Sequence, residues 1–368
     1  MDFPTNKDDP AWSLEEKIQQ SAPVDLESAY STASLAGKTI LITGAASGFG
    51  AAFARRWAAL GAHIMAGDVN DAAGEALIAE LRSFSPHHHY QRCDVTVWAD
   101  QVALFKMAAA NSPTGRIDAV VAGAGIVDLS GRTFDDPPSG LDGEDPPAPK
   151  LAVLGVNLTG VMYTTHLALF WLQKNGFRDE KEEVRRDRHL LLVSSIAGLS
   201  PLPGQTEYAV SKHGVVGLFR TLRATSMLRR GVRVNLLCPY FVKTSLLPWQ
   251  GDVLLAGGAL GTVDDVVEAA TRLQADEGIV GRGLVIGPKG EVEVEVDDGE
   301  MGKTKTERKE GAIWEVYAHD YRRVEVFVWR YVAMLNSVKK VRGWIGTLRD
   351  LWGIYRREGG RKKKVAAK

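Results

Sequence analysis

The sequence contains few cysteines and carries no net charge. Only Cys93 and Cys238 occur among its 368 residues, and both lie in apolar runs. We therefore expect free thiols in a reducing compartment, the cytoplasm. Lysine plus arginine and aspartate plus glutamate each number 45. This balance gives no reason to expect a nucleic-acid partner.

The pattern of a secretory signal is also missing, and so is that of a dedicated membrane anchor. The first ten residues, MDFPTNKDDP, are acidic and lack an apolar core. The longest uncharged stretch, residues 151–173, has the length of a membrane span but contains Asn157, Thr164 and His166. We interpret this stretch as a buried helix of a large soluble domain.

Short apolar runs alternate with segments of helical periodicity from Gly37 to about residue 290. The runs include TILITG, AHIMAGD, VVAGAG, HLLLVSS and VRVNLLCP. Near-continuous apolar strands separated by helices are typical of a parallel sheet covered on both faces. We predict an α/β doubly wound (Rossmann) sheet of about seven strands over residues 36–290, preceded by a polar N-terminal extension, residues 1–35.

The composition changes after Pro288. Residues 291–312 predict a polar linker with a short edge strand. Residues 313–368 predict a C-terminal amphipathic helix and a basic tail, because apolar side chains recur every three or four residues. This stripe consists of Trp314, Tyr317, Tyr321, Val324, Val328, Tyr331, Leu335 and Val338. From Arg330 onward, 12 lysines and arginines stand against 2 acidic residues.

Two interpretations of this extension stay open. In the first, the stripe packs on its own domain or on a second subunit. In the second, Trp344, Ile345, Leu348 and Trp352, which lie among lysines and arginines, form a peripheral contact with an anionic membrane surface.

Three polar segments show no recognisable chemistry. Residues 128–150 are rich in proline, glycine and aspartate and predict a surface loop. Residues 177–188 form a solvated charge run. The three histidines at 87–89 lie in a helix-to-strand connection, where adjacent side chains diverge. The sequence offers them no second ligand cluster, so we expect no metal site.

The segment TGAASGFG, residues 43–50, joins the first predicted strand to a helix. Glycines let backbone N–H groups approach a pyrophosphate, and a helix N-terminus favours its negative charge. Asp68 ends the next apolar run, where its carboxylate would bind the adenosine ribose and repel a 2′-phosphate. A glycine turn beside an exposed acid is the structural alternative. We predict an NAD site with NADP as the alternative, bound by Thr43, Gly44, Ser47, Gly48, Phe49, Gly50 and Asp68.

The segment TEYAVSKHG places Tyr208 four residues before Lys212. On a helix these side chains share a face, and an ammonium group within about 4–6 Å lowers the pKa of a phenol. Tyr208 would then act as a general base near neutral pH. Ser195, in VSSIAG at the end of a strand, would face the ligand crevice and hold a substrate oxygen. An ordinary surface pair is the alternative, because Tyr-x-x-x-Lys often occurs by chance.

Together these motifs resemble the short-chain dehydrogenase/reductase family over about residues 36–290. The resemblance rests on TGAASGFG, Asp68, CDV at 93–95, VNLTG, Ser195, YAVSK and CPYFVKT. It implies a catalytic tetrad of Asn157, Ser195, Tyr208 and Lys212, in which Asn157 holds a water that links Lys212 to solvent. It also implies a dimer or tetramer, with the helix at 151–173 as one candidate interface.

The same resemblance assigns further contacts. Asp94 and Val95 would contact adenine, Val242 and Thr244 would hold the nicotinamide carboxamide, and Tyr208 and Lys212 would also touch the cofactor. SKHGVVGLFR and GVRVNLLCPYFVKT look closest to NAD-dependent 15-hydroxyprostaglandin dehydrogenases and their fungal relatives, which implies substrate contacts from Gln205, Phe241, Ser195 and Tyr208. Two departures are the AGAG at 122–125, where Asn-Asn-Ala-Gly is usual, and Tyr240 in place of a glycine.

We therefore predict an oxidoreductase that transfers a hydride between NAD and an apolar secondary alcohol or ketone, lipid-like, terpenoid or polyketide, in secondary metabolism. An NADPH-dependent ketoreductase is one alternative. A catalytically idle scaffold that binds a dinucleotide is the other.

Overall fold

Eight strands form one sheet in the order β3-β2-β1-β4-β5-β6-β7-β8 in the computed structural model. The strands are β1 Thr39–Thr43, β2 His63–Asp68, β3 His89–Arg92, β4 Ala119–Ala122, β5 His189–Val193, β6 Arg233–Pro239, β7 Gly283–Asp297 and β8 Thr304–Val316. Strands β1 to β7 are parallel, and β8 pairs antiparallel with β7.

The structure describes residues 20–128, 148–175, 187–200, 202–223, 225–242, 260–297 and 304–318, with the single residues 134, 145 and 334. All of these except Met334 belong to one unit, Ile18–Ala318. The other unit, Met1–Lys17 with His319–Lys368, otherwise lies outside the described residues.

Helices cover both faces of the sheet. They are α1 Gly48–Ala59, α2 Asp71–Leu81, α3 Trp98–Asn111, α4 Ala152–Lys174, α5 Thr206–Arg223, α6 Ser226–Arg230 and α7 Val263–Ala275. On one face, α1, α2 and α7 enclose a core that contains Phe53 and Trp57. On the other, α3, α4 and α5 enclose Phe105 and Phe219.

The strand β1 shows why the apolar runs are nearly continuous. All five of its residues are buried. Ile40 and Ile42 pack in the core on one face, and Leu41 packs in the core on the other. Because successive side chains of a strand point to opposite faces, a sheet covered twice needs apolar residues at both. The predicted doubly wound fold is confirmed.

The helix α4 is long and apolar enough, by length and composition, to cross a membrane, with a mean hydropathy of 1.3. The core helix of a soluble domain passes the same test. Here Asn157 and Thr164 are buried and bonded to other parts of the domain. This position agrees with the interpretation of residues 151–173 as a domain helix.

The edge beyond β7 differs from the sequence prediction. Residues 291–297 and 304–312 belong to the paired strands β7 and β8, so the expected edge strand is present but longer than predicted, and these residues are not a linker. Trp314 was assigned to a helix but lies in β8, where its ring packs so closely on Gly287 that a Cβ there would be 2.6 Å from it. The three-residue spacing from Trp314 to Tyr317 fits a helical period, and this is why the sequence pattern predicted a helix there. The rest of the stripe and Trp344, Ile345, Leu348 and Trp352 lie outside the described residues.

The described part of the N-terminal extension, residues 20–35, packs on this same edge and on α7. Ser21 N donates to Val280 O at 3.0 Å, and Val24 N donates to Glu315 Oε2 at 2.6 Å. The Arg272 guanidinium lies 4.2 Å from the centroid of the Tyr30 ring. Residues on either side of the predicted domain are therefore part of its packing.

A buried ion cluster lies at the amino ends of β1 and β6. Asp187 forms ion pairs with Lys38 at 2.9 Å and with Arg233 at 2.7 Å. Burial alone would raise the pKa of Asp187, but the charge and hydrogen bonds of Arg233, with Lys38, hold it below its usual range. Asp187 was assigned to a solvated charge run, and that assignment is wrong for this residue. Residues 177–186 lie outside the described residues.

Candidate active site

The predicted site residues lie at the carboxyl ends of the parallel strands. Strands β2 and β3 follow β1 on one side of the sheet, whereas β5 to β8 follow β4 on the other side. The direction in which the chain adds strands therefore reverses between the neighbours β1 and β4. Open α/β sheets bind ligands in the crevice at such a switch point. The turns after β1, β4, β5 and β6 meet at this edge.

The turn after β1 is so closely packed that two positions admit only glycine. A Cβ at Gly44 would lie 2.7 Å from Ala124 Cα, and a Cβ at Gly50 would lie 2.1 Å from Gly44 O. Gly44 also has a φ of +72°. The helix α1 begins at Gly48 after the exposed N-cap Ser47, so its first N–H groups are available at this end. The turn fits a pyrophosphate.

The side chain of Thr43 braces the turn from inside. Its hydroxyl donates to Val121 O at 3.3 Å and accepts from Gly123 N at 3.2 Å. Thr43 therefore connects β1 to residues 122–125, where the family's usual asparagine side chains are absent. Phe49 packs against the core, with its ring 6.4 Å from that of Phe53. Direct contact of Thr43 or Phe49 with a cofactor stays a prediction.

Asp68 ends β2 beside the glycine turn. Its carboxylate accepts hydrogen bonds from Ala46 N at 2.9 Å and from Asn70 N at 3.0 Å. On the neighbouring strand, Arg92 is its register partner and forms an exposed pair with Asp71, 3.6 Å between Nε and Oδ2. A carboxylate fixed to the turn by the backbone is placed to meet the sugar of a dinucleotide.

The loop after β3 carries the two predicted adenine contacts. Asp94 N donates to Asp100 Oδ2 at 3.1 Å, and Asp94 Oδ1 accepts from Thr96 N at 2.9 Å and from Thr96 Oγ1 at 2.7 Å. Val95 is buried against α4, where a Cβ at Gly160 would lie 2.7 Å from Val95 Cγ2. The loop is thus held from both sides.

Tyr208 and Lys212 lie on one face of α5. Lys212 Nζ is 5.6 Å from the centroid of the Tyr208 ring and donates to Val193 O at 3.2 Å. Lys212 is buried, whereas Tyr208 is partly exposed. The helix therefore presents a phenol to the crevice with an amine behind it.

We predicted that Lys212 lowers the pKa of Tyr208, but in this structure the pKa of Tyr208 is raised. Burial raises the pKa of Tyr208, and hydrogen bonding with Ser195 acts in the opposite direction without cancelling it. Burial also lowers the pKa of Lys212 to about 8. Helical spacing brings the two groups together, but it does not reveal how strongly the fold desolvates them. Desolvation therefore favours the neutral form of the Tyr208 phenol in this structure.

Ser195 lies at the end of β5, where it caps the short 3₁₀ helix Ile196–Gly198. Its hydroxyl accepts from Ala197 N at 3.2 Å and lies 3.4 Å from Pro239 O. Hydrogen bonding with this side chain acts to lower the pKa of the Tyr208 phenol, against the effect of burial. Ser195 thus sits where β5, β6 and α5 meet, beside the group that would exchange a proton.

Asn157 lies in a π-helical turn of α4, Gly155–Gly160. Its Oδ1 accepts from Ile126 N and its Nδ2 donates to Ile126 O, both at 2.8 Å. A Cβ at Gly125 would lie 3.5 Å from both Asn157 Oδ1 and Lys212 Nζ. These two polar atoms therefore lie beside the same glycine, and a water between Asn157 and Lys212 stays a prediction.

The segment after β6 borders the same edge. Val242 is buried and forms a bridge with Gly261. Tyr240 and Phe241 form an edge-to-face pair with centroids 5.0 Å apart. Thr244, the other predicted carboxamide contact, lies outside the described residues.

Gln205 precedes the first turn of α5. Its Nε2 lies 3.4 Å from Asp128 O, at the end of the segment that follows β4. Gln205 therefore joins two of the segments around the crevice. Substrate contacts from Gln205 and Phe241 stay predictions.

Two serines that the sequence analysis did not single out fix the position of α5, the helix that carries Tyr208 and Lys212. Ser211 Oγ donates to Tyr208 O at 2.7 Å and lies 3.3 Å from Asn157 Nδ2. Ser194 Oγ donates to Lys212 O at 2.9 Å. The position of Ser211 three residues after Tyr208, on the same helix face, is the signal that could have revealed it.

Dinucleotide binding and proton transfer can both take place at this edge of the sheet. The glycine turn offers backbone N–H groups to a pyrophosphate, and the phenol of Tyr208 is accessible a few strands away. An enzyme that moves a hydride to or from a nicotinamide needs both capacities in one crevice. The fold and the site therefore define the class of nicotinamide-dependent oxidoreductases.

The chain belongs to the short-chain dehydrogenase family, whose model matches residues 38–250. A 5′-hydroxyaverantin dehydrogenase from Dothistroma septosporum is 37% identical over 73% of this chain and 91% of the relative. The NADP-dependent dehydrogenase M3 from Phoma sp. is 30% identical over 68% of this chain and 74% of the relative. The crystal structure of a 3-ketoacyl-(acyl-carrier-protein) reductase from Brucella melitensis, complexed with NADH, has a TM-score of 0.56 and 28% identity over 68% of this chain and 97% of that chain.

These similarities support the family assignment and the resemblance to fungal dehydrogenases. A specific relationship to 15-hydroxyprostaglandin dehydrogenases stays a prediction.

Proposed function

We propose that this protein is an NAD-dependent dehydrogenase that oxidises an apolar secondary alcohol in secondary metabolism. The observation that carries the proposal is the convergence of Ser195, Tyr208, Lys212 and Asn157 on one crevice of a short-chain dehydrogenase domain. The similarity to 5′-hydroxyaverantin dehydrogenase favours a hydroxylated compound of that kind as the substrate.

The residues around the crevice suit each part of a nicotinamide dinucleotide. Backbone N–H groups of residues 44–50 would hold the pyrophosphate, Asp68 the adenosine ribose, and Asp94 and Val95 the adenine. Lys212 would bond the nicotinamide ribose. When bound, the oxidised nicotinamide accepts a hydride from the alcohol carbon, and the reduced form returns one to a carbonyl carbon.

Tyr208 would exchange the proton with the substrate oxygen. Ser195 would donate to the same oxygen and stabilise negative charge that develops on it. A neutral phenol can donate to a carbonyl directly, whereas alcohol oxidation needs the phenol ionised first. Before substrate binds, hydrogen bonding with Ser195 favours that ionisation. A water between Asn157 and Lys212 would link the buried amine to solvent.

The choice of NAD rests on Asp68. Its carboxylate is held beside the turn by Ala46 N, and its negative charge would repel a 2′-phosphate. Among the described residues near this position, Arg92 supplies a positive charge, but it is paired with Asp71. NAD is therefore the better fit to this edge of the site.

An NADPH-dependent ketoreductase is the second candidate. The raised pKa of Tyr208 favours it, because a neutral phenol is the form that donates a proton to a ketone. The name of the Phoma relative, an NADP-dependent dehydrogenase, favours it as well.

A screen of secondary alcohols and ketones with all four nicotinamide dinucleotides tests the proposal. Apolar, polycyclic and fatty compounds are tried first, and NADH or NADPH absorbance is followed in both directions. We expect alcohol oxidation with NAD. Turnover confined to ketones with NADPH would establish the second candidate instead. Dinucleotide binding without turnover of any compound would favour a catalytically idle scaffold.

A further inference from the structure

A fully buried glutamine joins the loop after β3 to the π-helical turn of α4. Gln101 lies in the first turn of α3 and is 0% exposed. Its Nε2 donates to Val95 O at 2.6 Å and to Gly160 O at 2.9 Å. Its Oε1 accepts from Thr164 Oγ1 at 2.8 Å. Both N–H groups and the carbonyl of this carboxamide therefore form hydrogen bonds with other elements.

Both backbone partners of Gln101 are close to predicted site residues. Val95 is itself a predicted adenine contact and directly follows Asp94. Gly160 ends the π-helical turn Gly155–Gly160 that contains Asn157. A π-turn inside an α-helix often marks a functional position, and it needs partners because it departs from the regular hydrogen-bond ladder.

The loop and the turn are also in direct contact. A Cβ at Gly160 would lie 2.7 Å from Val95 Cγ2, and a Cβ at Gly155 would lie 3.8 Å from Thr96 Cγ2. The loop therefore runs along the whole π-turn without space for a side chain at Gly160. A shift of residues 94–96 has to be matched by a shift of the turn.

We propose that Gln101 is a positioning residue that couples adenine binding at residues 94–96 to the orientation of Asn157 opposite Lys212. The inference rests on the proposed function, because it needs adenine at this loop. Adenine would hold the loop, Gln101 holds the loop to Gly160, and the π-turn that ends at Gly160 carries the backbone of Asn157. The observations behind this inference are the hydrogen bonds of Gln101 and the tight packing that join Val95 to Gly160, in the same turn as Asn157.

The variant Gln101→Met tests the coupling. Methionine has a similar length but removes both donors and the acceptor. Gln274→Met is the matched control, because Gln274 is also 0% exposed, lies in a helix and bonds another side chain, His189 Nδ1 at 2.7 Å, but at the amino end of the sheet. Both variants lose hydrogen bonds in the core. An effect that came only from reduced stability would therefore appear in both variants.

The readout is amide hydrogen exchange in residues 155–160 with and without ADP-ribose, which carries the adenine but has no nicotinamide and requires no turnover. We expect ADP-ribose to slow exchange there in the parent protein and in Gln274→Met, and to have no effect in Gln101→Met. If Gln101→Met does not fold, Gln101→Asn is used, because its shorter carboxamide cannot reach both carbonyl groups. We expect the same loss of effect from it.

Kinetics provide the second readout. With NAD and an active alcohol, kcat should fall about tenfold in Gln101→Met, as for a misplaced catalytic group, and stay within about twofold in Gln274→Met. ADP-ribose binding with equal protection of residues 155–160 in Gln101→Met and parent would overturn this inference and leave the proposed function intact. Failure of the parent protein to bind either ADP-ribose or NAD would overturn both.

Discussion

At the scale of single residues, burial has more influence on the candidate chemistry than sequence spacing. Tyr208 and Lys212 lie together as a helix requires, yet the phenol has a raised pKa and the amine a pKa lowered to about 8. Both shifts favour the neutral forms, as desolvation does for any acid or base. Hydrogen bonding with Ser195 acts against burial and favours the phenolate.

The first prediction concerns pH. Because oxidation needs the phenolate and the Tyr208 pKa is raised, kcat/KM for the alcohol should increase with pH across about pH 6 to 9. Reduction of the ketone uses the neutral phenol and should be flat over the same range. Ser195→Ala should move the rise in oxidation to higher pH, because the hydrogen bond that lowers the pKa is gone. Rates of oxidation independent of pH would show that the phenolate is already formed.

The second prediction concerns Asp68. We expect NADH to bind at least about tenfold more tightly than NADPH, and Asp68→Ala to remove most of that difference by relieving repulsion of the 2′-phosphate. Fluorescence titration of both cofactors measures it. Glu75→Ala, which removes an exposed acid from α2, is the charge control and should leave the ratio unchanged. Equal affinities in the parent protein would contradict the role of Asp68.

At the scale of elements, the turn after β1 depends on the absence of side chains. Gly50 lies in α1, where alanine would normally be favoured, but its position against Gly44 O leaves no space for a Cβ. The geometry of the turn thus overrides helix propensity at this residue. The segment TGAASGFG could be recognised in the sequence as a binding turn because the need for glycine at these positions has a known physical cause.

The third prediction concerns that glycine. Gly50→Ala should destabilise the domain by about 1–3 kcal/mol through overpacking and weaken NADH binding. Gly217→Ala is the control, because no described atom lies within 4 Å of a Cβ added there, in the middle of α5. Urea unfolding and NADH titration on both variants measure the effects. Equal stability of Gly50→Ala and the parent would show that the turn can relax.

At the scale of the whole molecule, the domain includes more than the residues that match the family model. Residues 21–24 and the strand β8 meet at the β7 edge, where Arg282 and Glu315 form a buried pair with 3.1 Å between Nη1 and Oε1. Glu315 also accepts from Val24 N. An exposed edge strand is prone to pair with other chains, and β8 covers the edge of β7.

The fourth prediction concerns this pair. Glu315→Ala should cost on the order of 3 kcal/mol, because it leaves the buried charge of Arg282 with weaker compensation. Glu80→Ala removes the exposed partner of Arg55 and should cost less than about 1 kcal/mol. Urea unfolding followed by tryptophan fluorescence compares them. Equal costs would mean that the β7 edge is not an integral part of the folded unit.

The doubly wound fold could be predicted because its signals are local. Apolar runs such as TILIT follow from a sheet buried on both faces, and the glycine turn has a fixed position after the first strand. The grouping of Ser195 with Tyr208 could be expected from a strand end and helix spacing, whereas Asn157 came only from the family resemblance. The continuation of β8 through Trp314 could not be expected, because Trp314 and Tyr317 fit a helical period and only pairing with β7 decides between the two states. The roles of Gln101 and Ser211 and the raised Tyr208 pKa depend on burial, which no local pattern encodes.

The central claim is that Tyr208 exchanges the proton in a nicotinamide-dependent hydride transfer. Steady-state turnover of Tyr208→Phe with an active alcohol, measured beside NADH affinity, tests it most directly. The phenyl ring keeps the packing and removes only the hydroxyl. We expect kcat to fall by at least about 100-fold while the NADH dissociation constant stays within about threefold of the parent value. Turnover of Tyr208→Phe at the parent rate would contradict the account.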